Sequence, residues 1–372
     1  MVWNATTRAA FANGNDAKEI AGRAAGLLAR QGSGGTLGFV YATDSLKAEL
    51  PDIVHLLRER TGVEDWTGTV GFGVVGGRQA AFDEPALAVM ITDWPKQDYK
   101  LFQGVPRESW APPAEGRSEG IVTAIVHADP RNRRYPDLLQ SLAATSGAYL
   151  LGGVTASRNG RCEQFAGSAV EGGISGVLAG AGIGFSVGVS QGCAATGPTR
   201  TITAGERNVV VELDGMPALD ALYQDLAISD PADIDALYAA LETLHVSLLV
   251  PNCDTGDYLV RNLTGIDTES GAIGIGDLVE PGAKLFFSRR DREAAANDLQ
   301  AMARKIRLRT QKVSGALYVS CCGRGPHLFG SATEEIAHVQ DILGDVPLVG
   351  FYANGEIAGE RIYGYTGILG VF

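Results

Sequence analysis

Ala316-Leu317-Tyr318-Val319-Ser320 runs into the polar segment Cys321-Cys322-Gly323-Arg324-Gly325-Pro326. A helix signal follows at Ser331-Ala332-Thr333-Glu334, and the stretch closes on Pro347-Leu348-Val349-Gly350-Phe351-Tyr352-Ala353-Asn354-Gly355-Glu356. The two outer segments are apolar and β-branched runs bounded by Gly, Pro and polar residues, which reads as two strands. Between them, Ser331 and Glu334 form a capping box ahead of Ile336, Val339 and Leu343, which share one helical face. The unit is therefore strand, polar loop, helix, and a glycine-bearing strand ending in a tight turn.

The same unit recurs twice upstream. Thr36-Leu37-Gly38-Phe39-Val40-Tyr41 leads through a helix behind Pro51 to Gly71-Phe72-Gly73-Val74-Val75-Gly76-Gly77, and Thr123-Ala124-Ile125-Val126-His127 leads through a helix behind Pro136 to Leu150-Leu151-Gly152-Gly153-Val154-Thr155. The spacing is too loose for a solenoid. Further helical periods lie at 16–31, 217–228, 231–243 (opened by Asp230-Pro231) and 291–308, and short strands fill the intervals. This mixture predicts an α/β (α+β) class. The expected architecture is two pseudo-symmetric lobes of mixed sheets with helices on their outer faces, divided as 1–214 and 215–372.

Composition narrows the function classes. Of 372 residues 49 are glycine, and the net charge is −12, so a polyanionic partner such as nucleic acid meets a repulsive field. The basic run Arg304–Arg309 closes a helix, where cations suit the dipole. The five cysteines include no CxxC pair, and Met1–Arg8 carries no apolar signal region, so a cytoplasmic protein is expected. Val177 to Val189 is apolar but short and glycine-broken, which reads as a strand pair and predicts no membrane span.

Two familiar glycine strings lack the context that gives them meaning. Gly71-Phe72-Gly73-Val74-Val75-Gly76 runs on into strand, whereas a dinucleotide loop opens a helix. Gly188-Val189-Ser190-Gln191-Gly192 is followed by loop residues, whereas a nucleophile elbow is followed by a helix. None of the five histidines has metal-ligand spacing, and His127 and His327 sit where a strand meets a loop. The vicinal pair Cys321-Cys322 fits either a buried hydrophobic role or a thiol lining a pocket, with Arg324 nearby. Polar and aromatic residues cluster at strand ends in the last third of the chain, at 251–267, 287–291, 320–325 and 351–357, and these clusters are expected to converge on one site.

In order along the chain these segments resemble the FIST family (F-box and intracellular signal transduction). Tyr258-Leu259-Val260-Arg261-Asn262, Ile273-Gly274-Ile275-Gly276-Asp277, Cys321-Cys322-Gly323-Arg324-Gly325 and Gly350-Phe351-Tyr352-Ala353-Asn354-Gly355-Glu356-Ile357 are similar to its C-terminal domain. Gly71-Phe72-Gly73 and Leu151-Gly152-Gly153-Val154-Thr155 are similar to its N-terminal domain. The resemblance implies a sensory module for small ligands, with amino acids proposed, and for part of the family haem-based nitric-oxide sensing. Nothing in the chain reads as a kinase or F-box, so a signal is expected to pass to a separate partner.

The expectation is thus a ligand-binding sensor with no catalytic residues. An amino-acid carboxylate suits Arg261 or Arg324, its ammonium suits Glu356 or Asp291, and Tyr258, Asn262 and Asn354 would orient it beside Cys321. Three alternatives stand beside it: haem held by His127 or His327, an enzyme using Cys321 or Ser190, and a protein-interaction scaffold.

Overall fold

Three glycines set the geometry of the strand–helix–strand units. A Cβ on Gly68 would stand 1.6 Å from the carbonyl oxygen of Val40, on Gly152 1.8 Å from that of Val126, and on Gly350 1.6 Å from that of Tyr318. Each oxygen belongs to the adjoining parallel strand: Leu37–Thr43 beside Asp65–Gly71, Thr123–Ala128 beside Tyr149–Val154, and Ala316–Cys321 beside Leu348–Ala353. Only hydrogen fits there, so the equivalent position is glycine in all three units. These relations come from a computed structural model, which describes residues 6–106, 122–158, 160, 162–228, 237, 239, 241–250 and 258–372. The helix expected at 231–243 and the polar stretch 251–257 lie largely or wholly outside the described residues.

The chain forms two compact units. One comprises the residues up to Ser190 together with Leu299–Phe372, and the other is Gln191–Asp298. In the first unit each parallel pair is the centre of a six-stranded sheet, and strand order is equivalent in all three sheets. The first runs Arg8–Asn13, Ala86–Thr92, Leu37–Thr43, Asp65–Gly71, Gln164–Ala166, Ser168–Val170. The second runs Tyr99–Gln103, Ile174–Ala179, Thr123–Ala128, Tyr149–Val154, Glu356–Ala358, Arg361–Tyr363. The third runs Ser186–Ser190, Gly367–Val371, Ala316–Cys321, Leu348–Ala353, Gly73–Gly76, Gln79–Phe82.

The hairpin completing each sheet comes from another repeat. After Asp65–Gly71 the chain crosses to the sheet of Leu348–Ala353. After Tyr149–Val154 it crosses to the sheet of Asp65–Gly71, and after Leu348–Ala353 to the sheet of Tyr149–Val154. The exchange is cyclic. At the crossing points, Phe72 N–H donates to Tyr352 O (3.3 Å), Ala156 N–H to Val70 O (3.3 Å) and Asn354 N–H to Val154 O (3.0 Å). The three second strands therefore end against one another in a ring of backbone hydrogen bonds.

Helices cover the outer faces. Ala17–Gln31 and Leu50–Thr61 bury Ile20, Leu28, Ile53 and Leu57 with Val40, Trp66 and Val89 of the first sheet. Tyr135–Ser146 buries Leu139 and Leu142 with Val126 and Leu150 of the second. Ala332–Leu343 buries Ile336, Val339 and Leu343, and Ser331 caps it by accepting from Glu334 N–H at 3.1 Å, as the capping box predicts. Each large aliphatic side chain buried this way contributes about 1.5–3 kcal/mol. On the inner faces Tyr41 stacks on Phe351 (5.1 Å), and His127 lies 5.6 Å and 6.0 Å from those two rings. With strands buried on both faces, the sequence reads as near-continuous apolar runs.

The second unit is built differently. Lys284–Arg290, Arg200–Glu206, Val209–Leu213, Ala272–Ile275, Tyr258–Asp267 and Leu244–Leu249 pair antiparallel in that order. Leu244–Leu249 then pairs back onto Lys284–Arg290, so the six strands close into a ring. Ile202, Val210, Ile273, Leu285 and Phe287 form its core with Leu219 and Leu222 of the helix Ala218–Leu226.

Mixed sheets and outer helices are as expected, but the two-lobed pseudo-symmetry is not: the repeat is threefold and lies inside one unit. The compact units do not follow chain order, because the second, which spans position 214/215, is inserted between strands of the third repeat. Among the described residues no helix is long and apolar enough to cross a membrane.

The glycine geometry is testable by chemical denaturation. Gly68→Ala, Gly152→Ala or Gly350→Ala is expected to cost about 3 kcal/mol each, since backbone must move. Gly26→Ala, exposed on the helix Ala17–Gln31 with open space at its Cβ, should add about 0.5–1 kcal/mol. Equal effects at the four positions would contradict the repeat geometry.

Candidate functional site

The ring of strand ends places loops from all three repeats side by side. A cleft of about 290 Å3 opens there, lined by Phe72, Phe82, Asp83, Arg158, Cys322 and His327. The first repeat supplies Phe72 at its crossing point, and Phe82 and Asp83 at the end of its donated hairpin. Asp83 N–H donates to Phe72 O (3.2 Å), closing the hairpin base, and Asp83 sits at φ +67°, a left-handed conformation that Asp tolerates better than most residues. The second repeat supplies Arg158, four residues beyond Val154. The third supplies Cys322, whose N–H donates to Ala353 O (2.8 Å), and His327 on the short helix Pro326–Phe329.

Arg158 organises the charge. Its backbone N–H donates to Asp44 Oδ2 (2.9 Å) and its Nη1 to Asp44 Oδ1 (3.2 Å), while Nη2 pairs with Asp83. Asp44 is 6% exposed at its side chain, whereas Arg158 is 45% and Asp83 59% exposed. The Asp44 contacts anchor the guanidinium, and the Asp83 pair is solvated and readily exchanged. The guanidinium also lies 5.2 Å over the Phe72 ring, and His327 meets Phe82 edge-on at 5.4 Å. The cleft thus holds a cation, an anion, two aromatic rings and a thiol.

Behind the thiol lies a buried acid. Glu356 is fully buried, and its Oε2 accepts from Thr366 N–H (3.1 Å) and Oγ1 (2.7 Å), while Oε1 accepts no hydrogen bond among the described residues. Burial first, then the neighbouring Cys321, pushes its carboxyl well above the usual range. The hydrogen bond between the two thiols raises Cys321, which is buried as well, and lowers Cys322 against the opposing effect of burial. The accessible sulfur is therefore the more acidic of the pair.

Other expected site residues have different surroundings. Arg324 is fully buried and donates from Nε to Glu335 Oε1 at 2.7 Å. Tyr318 and Ser320 hydroxyls donate to the same oxygen at 2.8 Å, and Gly325 N–H donates to Oε2 at 3.0 Å. Burial works against the guanidinium charge, and Glu335 more than offsets it. Arg324 is committed to this cluster. Asn354 is exposed at the crossing point, and Cys321 and Glu356 back the cleft.

Tyr258, Arg261, Asn262 and Asp291 belong to the barrel unit. Tyr258 hydroxyl donates to Cys193 O (3.2 Å), Arg261 Nε to Asp277 Oδ2 (2.7 Å), and Asp291 caps the helix Arg292–Arg309 by accepting from Ala294 N–H (2.6 Å). Asn262 is an exposed strand residue opposite His245. The eight residues divide four and four between the units.

Of the two histidines named for haem, His127 is fully buried between Tyr41 and Phe351, and burial drives its pKa down to about 3, while His327 lines the cleft of about 290 Å3. Ser190 is fully buried at the end of Ser186–Ser190. A larger groove of about 400 Å3 runs past Phe11, Arg78, Gln340 and Asp345. Arg78 there is paired with Asp341 (2.7 Å) and Asp345 (2.6 Å), and the groove brings no thiol or imidazole to a ligand, so the smaller cleft carries the richer chemistry.

Phe72, Phe82, Asp83 and Arg158 were not singled out as site residues by sequence. The available signal was the repeat itself: Phe72, Ala156 and Asn354 are equivalent donors in the ring, which marks all three crossing points as one locality.

Two family profiles together match most of the chain. The profile of the FIST N domain matches residues 36–216, and that of the FIST C domain matches 218–359. The chain belongs to the FIST family. Two uncharacterized mycobacterial proteins are similar to this FIST protein along nearly their whole length. Rv0628c of Mycobacterium tuberculosis is 30% identical over 373 residues, covering 96% of this chain and 97% of its own. Mb0898c of Mycobacterium bovis is 28% identical over 370 residues, covering 96% and 95%. FIST domains are sensory domains of signal transduction.

Glu356 gives a pH test. Because its folded pKa is raised, its contribution to stability is complete below the unfolded value of 4.5 and is lost as pH rises toward the folded value. Glu356→Gln removes that loss, so its melting temperature should gain on the wild type progressively as pH rises above about 5. A difference that stays constant with pH would contradict the assignment of a buried neutral acid.

Proposed function

We propose that this FIST protein senses a small zwitterion of amino-acid type, bound in the cleft of Phe72, Phe82, Asp83, Arg158, Cys322 and His327. The Arg158–Asp83 ion pair over the Phe72 ring supports this most directly. A zwitterion can open that pair without a net change of charge: its carboxylate takes the Arg158 guanidinium, its ammonium takes Asp83, and its side chain lies on Phe72 and Phe82. Asp44 keeps Arg158 in position while Asp83 changes partner. A volume of about 290 Å3 suits a ligand at the small end of the usual range. Arg158 and Asp83 take the parts that sequence alone assigns to Arg261 or Arg324 and to Glu356 or Asp291. In keeping with the signal-transduction role of FIST domains, the proposal includes a separate partner that reads the bound state.

A thermal-shift screen of amino acids, followed by calorimetry on hits, tests the proposal. At least one amino acid should raise the melting temperature of the wild type by several degrees at saturating concentration. Arg158→Ala and Asp83→Asn should each weaken its affinity about tenfold, and Arg78→Ala in the larger groove should leave it unchanged. Binding that survives Arg158→Ala but not Arg261→Ala would move the site to the barrel.

A further inference from the structure

We propose that Cys322 is a thiol–disulfide exchange site that takes small zwitterionic disulfides, of which cystine is the simplest, and so records redox state as a reversible mixed disulfide. The inference rests on the cleft being the zwitterion site proposed above, and it adds a reaction that a recognition site does not need.

Cys322 lines the cleft while its neighbour Cys321 is buried, so one sulfur of the pair is open to a ligand. Arg158 and Asp83 line the same cleft, which brings a guanidinium, a carboxylate and a thiol to one ligand. An amino-acid disulfide matches all three groups, presenting a carboxylate, an ammonium and a sulfur on one short skeleton. Behind the pair, Glu356 is fully buried, and Oε1 lacks a hydrogen-bond partner among the described residues. Burial raises the Glu356 carboxyl well above the usual range, and what charge it carries works against a Cys322 thiolate, as burial does, while the hydrogen bond from Cys321 outweighs both. The hydrogen bond from Cys321 favours ionisation of Cys322 and keeps Cys321 protonated, so Cys322 is the nucleophile.

The exchange is balanced without a further oxidant. Cys322 Sγ attacks one sulfur of R–S–S–R, the Sγ–S bond forms, and the S–S bond breaks. The other half leaves as RS−, which takes a proton from solvent. Cys322 is oxidised to the disulfide level as the departing sulfur is reduced to a thiol, and excess RSH reverses the step.

Intact-mass spectrometry with peptide mapping on the full chain tests this, comparing L-cystine with the uncharged bis(2-hydroxyethyl) disulfide at equal concentration. The wild type should gain one half-cystine on Cys322, about tenfold faster than the uncharged adduct, as two solvated ion pairs would allow. Arg158→Ala should reduce that preference to near unity, Cys322→Ser should abolish the adduct, and Cys193→Ser should leave the rate unchanged. Absence of a Cys322 adduct, mapping to Cys162, Cys193 or Cys253, or equal wild-type rates with the two disulfides overturns the inference. Calorimetry with amino acids that carry no sulfur separates the two proposals. If the wild type and Cys322→Ser both bind while exchange fails, only the thiol chemistry falls; if neither binds, the zwitterion site and the inference fall together.

Discussion

Three backbone hydrogen bonds, from Phe72 to Tyr352, Ala156 to Val70 and Asn354 to Val154, hold together the ends of three strands that are far apart in sequence. Each marks the point where a repeat leaves its own sheet and donates a hairpin to the next. Because the exchange is cyclic, no sheet of the first unit is complete within its own repeat. Such a sheet gains its outer hairpin only when the long-range pairing forms, which favours cooperative assembly of the three repeats.

The same constraint creates the cleft. Loops that follow strands are where a rigid scaffold can vary side chains at little cost to its core. The ring brings three such loops together, each with a different chemistry: two aromatic rings and a carboxylate from the first repeat, a guanidinium from the second, a thiol and an imidazole from the third. The pseudo-threefold scaffold is regular, but the residues decorating it are not. Where Gly68, Gly152 and Gly350 repeat because backbone demands it, Phe72, Ala156 and Asn354 differ.

Much of the fold was legible locally. The helix Ala332–Leu343 follows from a capping box and an apolar face, and the helices behind Pro51 and Pro136 from Pro in the first turn with Gly62 and Gly147 at the end. The three units were visible as well, yet their arrangement was not. Hairpin exchange pairs Gln164 with Thr69 and Glu356 with Gly153, a register that no local pattern encodes. The barrel inserted between Ser190 and Leu299 also separates elements of the third repeat.

Site chemistry was only partly legible for the same reason. Cys321, Asn354 and Glu356 are legible because each lies in a polar cluster at a strand end, Cys321 closing Ala316–Cys321 and Asn354 and Glu356 flanking the turn after Leu348–Ala353. Arg324 looked available until Glu335, eleven residues on, met it in the interior. Arg158 escaped notice because its partners, Asp44 and Asp83, lie in another repeat. Its importance depends on convergence rather than on its neighbours.

Hydrogen–deuterium exchange with an amino acid that raises the melting temperature tests the convergence most directly. The account predicts simultaneous protection in three segments distant in sequence, around 72–83, 156–158 and 322–327, with Arg158→Ala removing all three effects together. Protection confined to the barrel, around 258–262 and 291, or to one repeat alone, would contradict it.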